Sequence, residues 1–318
     1  MPGGTKATLP VLGVDLGGTK TALRVMGEDG GELARDVFPT EAARGLDGWL
    51  ERTAGAAKAL APQGLAAVGV GAAGQVDRDG VLVATANVGG WHSVNLGAQL
   101  GRRLGCPGTT DNDAKVTLRA EMALGAAAGF ADVFLVAVGT GIGGALAVDG
   151  RIFRGARGYA GEFGHTFVAG NDRLCGCGRR GHLETVASGT GIARVAAERA
   201  PADGALAREL AAGGGARAVF AAAARGDAVA IDVLDEAADL LGGAIAGVVT
   251  LVDPAVVVLA GGVATASSAY WTRARASFEA HVHRTLVDVP WREAAMEERA
   301  GVVGACLLAR SVADGEVG

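Results

Sequence analysis

The chain has 318 residues, half of them hydrophobic but only 4% aromatic, with 53 glycines and a net charge of −5. That length fits two lobes with cores of Ala, Val and Leu, and an acidic balance without a basic tract excludes a nucleic-acid surface as the main business. Cys106 and Cys306 lie far from Cys175 and Cys177, unlike a disulfide framework, and the lack of a signal core or a membrane-length apolar run leads us to expect a cytoplasmic protein.

Val11–Asp15 is a short apolar run that ends at Gly17-Gly18-Thr19-Lys20. Thr21–Met26 and Glu32–Phe38 follow as strands, separated by the turn Glu28-Asp29-Gly30-Gly31. The spacing predicts a helix over Leu46–Leu60 and a strand over Leu65–Gly71. A further helix runs from the capping stretch Asp111-Asn112-Asp113 to Ala128. The opening pattern then recurs: strand Val133–Val138, glycine turn Gly139–Gly144, strand Ala145–Val148, turn Asp149-Gly150, and Arg151–Phe153. Two strand–turn–strand units predict a duplicated lobe, although a chain this rich in glycine could produce two by chance. Tyr159–Gly189 reads as loop, Leu240–Val252 as a buried helix closed by Asp253-Pro254, and Val256–Leu259 as a buried strand opening onto Gly261-Gly262. A terminal helix covers Gly301–Val312.

Glycine turns after strands suit phosphate, because backbone N–H groups can point at oxygens with no Cβ in the way. The candidates are Asp15–Lys20, Gly139–Gly144 and Gly261-Gly262, each of which could also be a plain turn. No GxxxxGK[ST] is present, which removes the P-loop. Gly69–Gly74 and Gly139–Gly144 match GxGxxG, but a turn follows one and a strand the other. A dinucleotide site needs a helix to begin there. Asp15, at a buried strand end, suits a carboxylate facing Mg²⁺ or a residue capping the loop.

Motifs follow one another along the chain: Asp15-Leu16-Gly17-Gly18-Thr19-Lys20, Gly71-Ala72-Ala73-Gly74, Asn87-Val88-Gly89-Gly90-Trp91, Asn112-Asp113-Ala114 and Gly139–Gly144. They continue with Gly161-Glu162-Phe163-Gly164-His165, Cys175-Gly176-Cys177-Gly178 and Gly181-His182-Leu183-Glu184. In these motifs, and in their order over nearly its whole length, the chain resembles the ROK (repressor, ORF, kinase) family of sugar kinases, bacterial glucokinases among them. The resemblance implies an α/β, actin-like (hexokinase, ribonuclease H-like) fold of two lobes with duplicated βββαβα units and MgATP in the cleft. The expected division is a small lobe at 1–112, with helix 301–318 packing back on it, and a large lobe at 113–300 with a zinc loop at 165–182. Asp113 is then the general base. Asn87, Asn112, Glu162, His165 and Glu184, with Gly74 close by, hold the sugar. Asp15, Gly17, Gly18, Thr19, Lys20, Thr140, Gly141 and Gly143 serve ATP and its phosphates, and Gly261 and Gly262 lie near the adenosine. Homodimers or homotetramers are common in the family.

Taken as side chains alone, Asp113 suits a base that accepts a hydroxyl proton or a helix cap, and Asp111 and Asn112 can already cap. Glu162 and Glu184 suit ligands to sugar hydroxyls or surface acids. His165, Cys175, Cys177 and His182 offer two thiolates and two imidazoles, a tetrahedral set for structural Zn²⁺, unless the cysteines are reduced bystanders. His92, His281 and His283 read as inert. Two positions depart from the family pattern: His182 stands where a third cysteine is usual, and Lys115 where many relatives read Asn. The expected activity is ATP-dependent phosphorylation of a glucose-like sugar at its 6-hydroxyl. The alternative is a kinase for an aminosugar, such as kanosamine or an N-acetylhexosamine, or for a cyclitol. A sugar-sensing regulator is the rival of another class, but Met1–Pro10 is too short for a DNA-reading helix pair.

Overall fold

The computed structural model describes residues 9–85, 90–263 and 268–316. It divides into two compact units. One takes in the chain up to Ala128, Ile152–Ala160 and the chain from Ala295 on; the other comprises Gly129–Arg151 and Gly161–Ala294.

In the first unit β1 (Val11–Leu16), β2 (Lys20–Met26) and β3 (Glu32–Pro39) lead into α1 (Gly45–Leu60) and β4 (Ala67–Ala72). The short strands β5 (Gln75–Val76) and β6 (Leu82–Ala84) pair with each other. They are followed by α2 (Leu96–Leu104), β7 (Gly108–Asn112) and α3 (Asp113–Leu124). The main sheet has the order β3–β2–β1–β4–β7. Its β1–β2 and β2–β3 pairs are antiparallel, and β1–β4 and β4–β7 are parallel. Every residue of β4 is buried, the continuous small apolar run expected of a parallel strand covered on both faces.

The second unit repeats this plan. β8 (Val133–Val138), β9 (Ile142–Val148) and β10 (Arg151–Ile152) precede the helices α4 (Glu184–Ala187), α5 (Gly189–Arg199), α6 (Ala205–Ala211), α7 (Gly215–Ala224) and α8 (Ala228–Val252). β11 (Val256–Ala260), α9 (Ser268–His281) and β12 (Trp291–Glu293) complete it. Its sheet has the order β10–β9–β8–β11–β12, the same succession as the first. The core of this unit joins aliphatic side chains of β8, β11 and the inner face of α8 to two aromatic groups, Phe134 with Phe163 and, from α9 and β12, Tyr270, Trp271, Phe278 and Trp291. No helix of the described residues is long and apolar enough to cross a membrane.

α10 (Ala300–Ala313) returns to the first unit and lies against β1, β4 and α3. Because α3 packs on α10, α3 falls inside the first unit, and the division comes after Ala128 instead of at 112/113. α3 also stops at Leu124, short of Ala128. Glu121 is wholly buried, and its carboxylate accepts the N–H groups of Ala126, Ala295 and Met296. β9 begins at Ile142, three residues before the expected start. Gly143 and Gly144 pair with Ala137 and Val136 inside the strand, where a Cβ on Gly144 would stand 2.7 Å from the Phe163 Cβ.

Candidate active site

β7 hands directly to α3 at Asn112-Asp113. Asn112 is the N-cap of α3, and all four hydrogen-bonding capacities of its amide are in use. Nδ2 donates to the Gly74 carbonyl (3.0 Å) and to Asp113 Oδ1 (2.9 Å), while Oδ1 accepts the N–H groups of Ala114 (3.0 Å) and Lys115 (3.3 Å). The Ala114 N–H also reaches Asp113 Oδ1 at 2.9 Å. The half-buried Asp113 carboxylate is thus oriented by two donors at the start of the helix. Gly74 has φ +154°, and a Cβ there would collide with the Ala84 carbonyl oxygen, so the carbonyl that receives Asn112 sits in a slot only glycine fits.

The two glycine turns occupy equivalent places in their sheets. Between β1 and β2 the Gly17 N–H donates to the Lys20 carbonyl at 3.0 Å, and the Thr40 hydroxyl donates to the Gly17 carbonyl at 2.7 Å. Gly18, Thr19 and Lys20 are exposed, and the Lys20 ammonium meets Glu298 at 2.9 Å on the surface. Asp15 lies one residue before the end of β1, where a Cβ on Gly301 of α10 would stand 2.6 Å from its Oδ2. Burial pushes its carboxyl up to about 6, against the opposing pull of Lys20. Between β8 and β9 the Gly139 N–H donates to the Gly141 carbonyl at 2.9 Å, with Thr140 exposed. The start of α5 is laced to this turn: the Gly189 N–H donates to the Gly139 carbonyl (2.8 Å) and the Thr190 N–H to the Thr140 carbonyl (3.2 Å). Gly261, φ +90°, runs so close to the Val138 backbone that a Cβ would stand 2.7 Å from its carbonyl carbon, and Gly261 and Gly262 are both exposed. Gly143 lies within β9, away from the turn proper.

His165, Cys175, Cys177 and His182 come together, their ligand atoms all within 4.8 Å of one another. His165 Nδ1 is 3.2 Å from His182 Nδ1 and 3.6 Å from Cys175 Sγ, and Cys177 Sγ is 3.3 Å from His182 Nδ1. A tetrahedron with Zn–S of about 2.3 Å and Zn–N of about 2.0–2.1 Å has edges of roughly 3.3–3.8 Å. The donor set and its spacing therefore fit zinc. Burial, with Cys177 and Glu184 nearby, pushes the Cys175 thiol up to about 11; burial and His165 hold His182 below the usual imidazole range. Such a cluster gains by receiving a cation that ionises the thiols. The other ring nitrogen of His165, Nε2, faces Glu162 Oε2 at 3.7 Å, the carboxylate support common behind metal-binding histidines. Glu184 turns to the glycine turn: Oε2 accepts the Ile142 N–H at 3.0 Å, while Oε1 is 3.8 Å from Cys175 Sγ.

Asn87 lies outside the described residues. Among the described residues the rings of His92 and His283 meet Ser93 and Thr285, and His281 turns its Nδ1 to the Ser277 carbonyl. Sequence reasoning missed the group behind Asp113. Asp111, taken as a cap, is a wholly buried residue of β7 whose Oδ1 accepts the Asn112 N–H at 2.9 Å and meets Arg154 Nη2 at 3.4 Å. The polar run Gly108–Asn112 gave no signal for that strand, and nothing local pointed to Arg154.

The ROK family model matches residues 11–312. The glucokinase of Halalkalibacterium halodurans is 36% identical over 284 residues, 87% of this chain and 83% of that protein. The solved ROK hexokinase of Thermus thermophilus superposes with a TM-score of 0.83 at 32% identity, covering 96% of this chain and all of the other. The ROK family glucokinase of Streptomyces griseus, solved in complex with glucose and AMPPNP, gives 0.77 at 33% identity over 95% and 99%. With the actin-like duplicated fold, both glycine turns and the Asn-Asp helix start in place, the chain belongs to the ROK family.

Proposed function

We propose that this chain is an ATP-dependent sugar kinase that transfers the γ-phosphoryl group of ATP to a hydroxyl of a glucose-like sugar, with the 6-hydroxyl of glucose as the first acceptor to test. The observation that carries the reading is the Asp113 carboxylate, set at the start of α3 by the Asn112 amide and the Ala114 N–H. A sugar hydroxyl is a poor nucleophile. Asp113 takes its proton as the oxygen bonds to the γ-phosphorus, and the bond from that phosphorus to the bridging β–γ oxygen breaks, releasing ADP. Most of the remaining acceleration comes from positioning and charge neutralisation.

In the first unit, Gly17, Gly18, Thr19 and Lys20 offer N–H groups and a cation to phosphate oxygens. Asp15 would hold Mg²⁺ directly or through water, and the metal would neutralise phosphate charge. In the second, the Gly139–Gly141 turn serves phosphate and Gly261-Gly262 the adenosine. Glu162 grips sugar hydroxyls. Glu184, with one oxygen held by the Ile142 N–H, offers the other to a sugar hydroxyl. Asn112, with its amide saturated, acts as the strut of Asp113, a narrower part than sugar ligand. His165, Cys175, Cys177 and His182 would hold one Zn²⁺ with no open position, so the metal stiffens the loop and takes no part in the chemistry.

A coupled ADP-release assay over a panel of glucose, N-acetylmannosamine, N-acetylglucosamine, kanosamine and myo-inositol tests this reading. Turnover on glucose supports it as stated, and turnover on an aminosugar or cyclitol alone moves the acceptor within the same reaction. No ADP release with any member of the panel counts against a kinase and favours a sugar sensor.

A further inference from the structure

Ile152–Ala160 interrupts the stretch of chain that builds the second unit, yet belongs to the first. Three cationic side chains fasten this strap. Arg78 Nε donates to the Gly155 carbonyl (2.8 Å), Lys115 Nζ to the Gly158 carbonyl (2.9 Å), and Arg154 Nη2, on the strap itself, to the Asp77 carbonyl (3.3 Å). At Gly158, φ +97°, a Cβ would stand 2.5 Å from the Asp77 carbonyl carbon, so the strap is pressed backbone to backbone onto the turn after β5.

Two of these cations lie next to the Asn112-Asp113 junction. Arg154 Nη2 also meets Asp111 Oδ1 at 3.4 Å, and that same oxygen takes the Asn112 N–H at 2.9 Å. Lys115, only 2% exposed, is two residues beyond Asp113 in the first turn of α3. Asp111 has no exposed surface, and its Oδ2, like the Nε atoms of Arg154 and Arg119, has no hydrogen-bond partner among the described residues. A buried carboxylate with incomplete hydrogen bonding is a costly feature, and a lysine near a helix N-terminus opposes the helix dipole. Neither arrangement is what stability alone would select at these positions. Both place a rigid charged contact immediately behind the residue that must face a hydroxyl.

We propose that Arg154 and Lys115 are positioning residues for catalysis: through Asp111 and through the strap they fix the β7–α3 junction and so the direction of the Asp113 carboxylate. Neither is assigned to substrate. The proposal rests on the reading of Asp113 as the base.

The test is steady-state kinetics and sugar binding for Arg154→Met, Arg154→Lys, Lys115→Met, Asp111→Asn and the Arg154→Met/Asp111→Asn pair, with Asp113→Asn as reference. Arg154→Met is expected to lower kcat by about 10²-fold, the loss that a misplacement of ~1 Å produces, while KM for sugar and ATP changes little. Arg154→Lys recovers part of the loss because the charge remains. Arg154→Met costs less in the Asp111→Asn background than alone, since the two substitutions share the loss of the Arg154–Asp111 ion pair. Lys115→Met moves kcat in the same direction. If Arg154→Met does not fold, Arg154→Lys and Asp111→Asn decide in the same way, by a fall in kcat at unchanged KM. Wild-type kcat in these variants, a loss expressed wholly in KM, or fully multiplicative losses for Arg154→Met and Asp111→Asn would overturn the proposal. If those results came with an inactive Asp113→Asn, only the positioning role would fall. An active Asp113→Asn would remove the base itself.

Discussion

Asp15 illustrates how much one side chain can be asked to do. Its folded carboxyl titrates at about 6 against 3.8 for the free residue, because burial disfavours the charge. The folded state therefore prefers the protonated form, so this contribution to stability is whole below 3.8 and lost as pH rises through 6. Asp15→Asn is predicted to stabilise the ligand-free protein at neutral pH by roughly 1–3 kcal/mol, with no gain below the unfolded value, and to lose Mg-ATP binding. Melting curves at the two pH values check the first part and nucleotide titration the second; equal melting temperatures at neutral pH would remove the burial argument. At the metal cluster we expect about one zinc per chain by elemental analysis. Cys175→Ser should lower both that content and the melting temperature, and chelation should weaken sugar binding. The Asn112-Asp113 helix start and the gathering of His165, Cys175, Cys177 and His182 were legible in the sequence because their spacing is local. The Asp111–Arg154 contact was not, since it joins residues 43 apart that only the fold brings together. The engagement of Glu184 with the Ile142 N–H escaped for the same reason, across 42 residues.

Helix α10 shows what the glycines accomplish at the level of elements. A Cβ on Gly304 would collide with the Val116 carbonyl of α3, one on Gly13 of β1 would stand 2.5 Å from the Cys306 N, and one on Gly69 of β4 2.8 Å from the Ala309 N. The helix thus meets a strand, a second strand and another helix with backbones nearly touching, which any side chain would prevent. Gly304→Ala is predicted to destabilise by about 1–3 kcal/mol or more through overpacking. Gly55→Ala, on the exposed side of α1 with nothing within 4 Å of its Cβ position, should be neutral or stabilising by up to ~1 kcal/mol. Denaturant melts of the two variants compare them directly, and equal stabilities would contradict the close-packing account. Strands such as Val133–Val138 and Val256–Ala260 were legible as unbroken apolar runs. By contrast, β7 was hidden by its polar sequence Gly-Thr-Thr-Asp-Asn, and α2 went with it. Gly97 of α2 rides directly on Thr109 of β7, although α2 itself is amphipathic, with Leu96 and Leu100 inside and Arg102 outside, between the caps Asn95 and Gly105.

The repeated strand order across the whole molecule makes the two units comparable position by position, and the comparison is uneven where chemistry is concerned. Asp15 pairs with Ala22 and Gly71 in β1; the matching place in β8 is Ala137, paired with Gly143 and Ala260. The first unit thus carries the carboxylates Asp15 and Asp113, whereas the second carries the cluster of two histidines and two cysteines and a glycine turn held by α5 and Glu184. Duplication was readable from the recurring strand–turn–strand unit. The assignment of α3 to the first unit was not, because it follows from packing against a helix at the far end of the chain. The most direct test of the account is the turnover of Asp113→Asn with ATP and glucose, measured alongside glucose binding by calorimetry. A fall of about 10²–10⁴-fold in kcat with glucose affinity retained is the predicted result; turnover at the wild-type rate would contradict it.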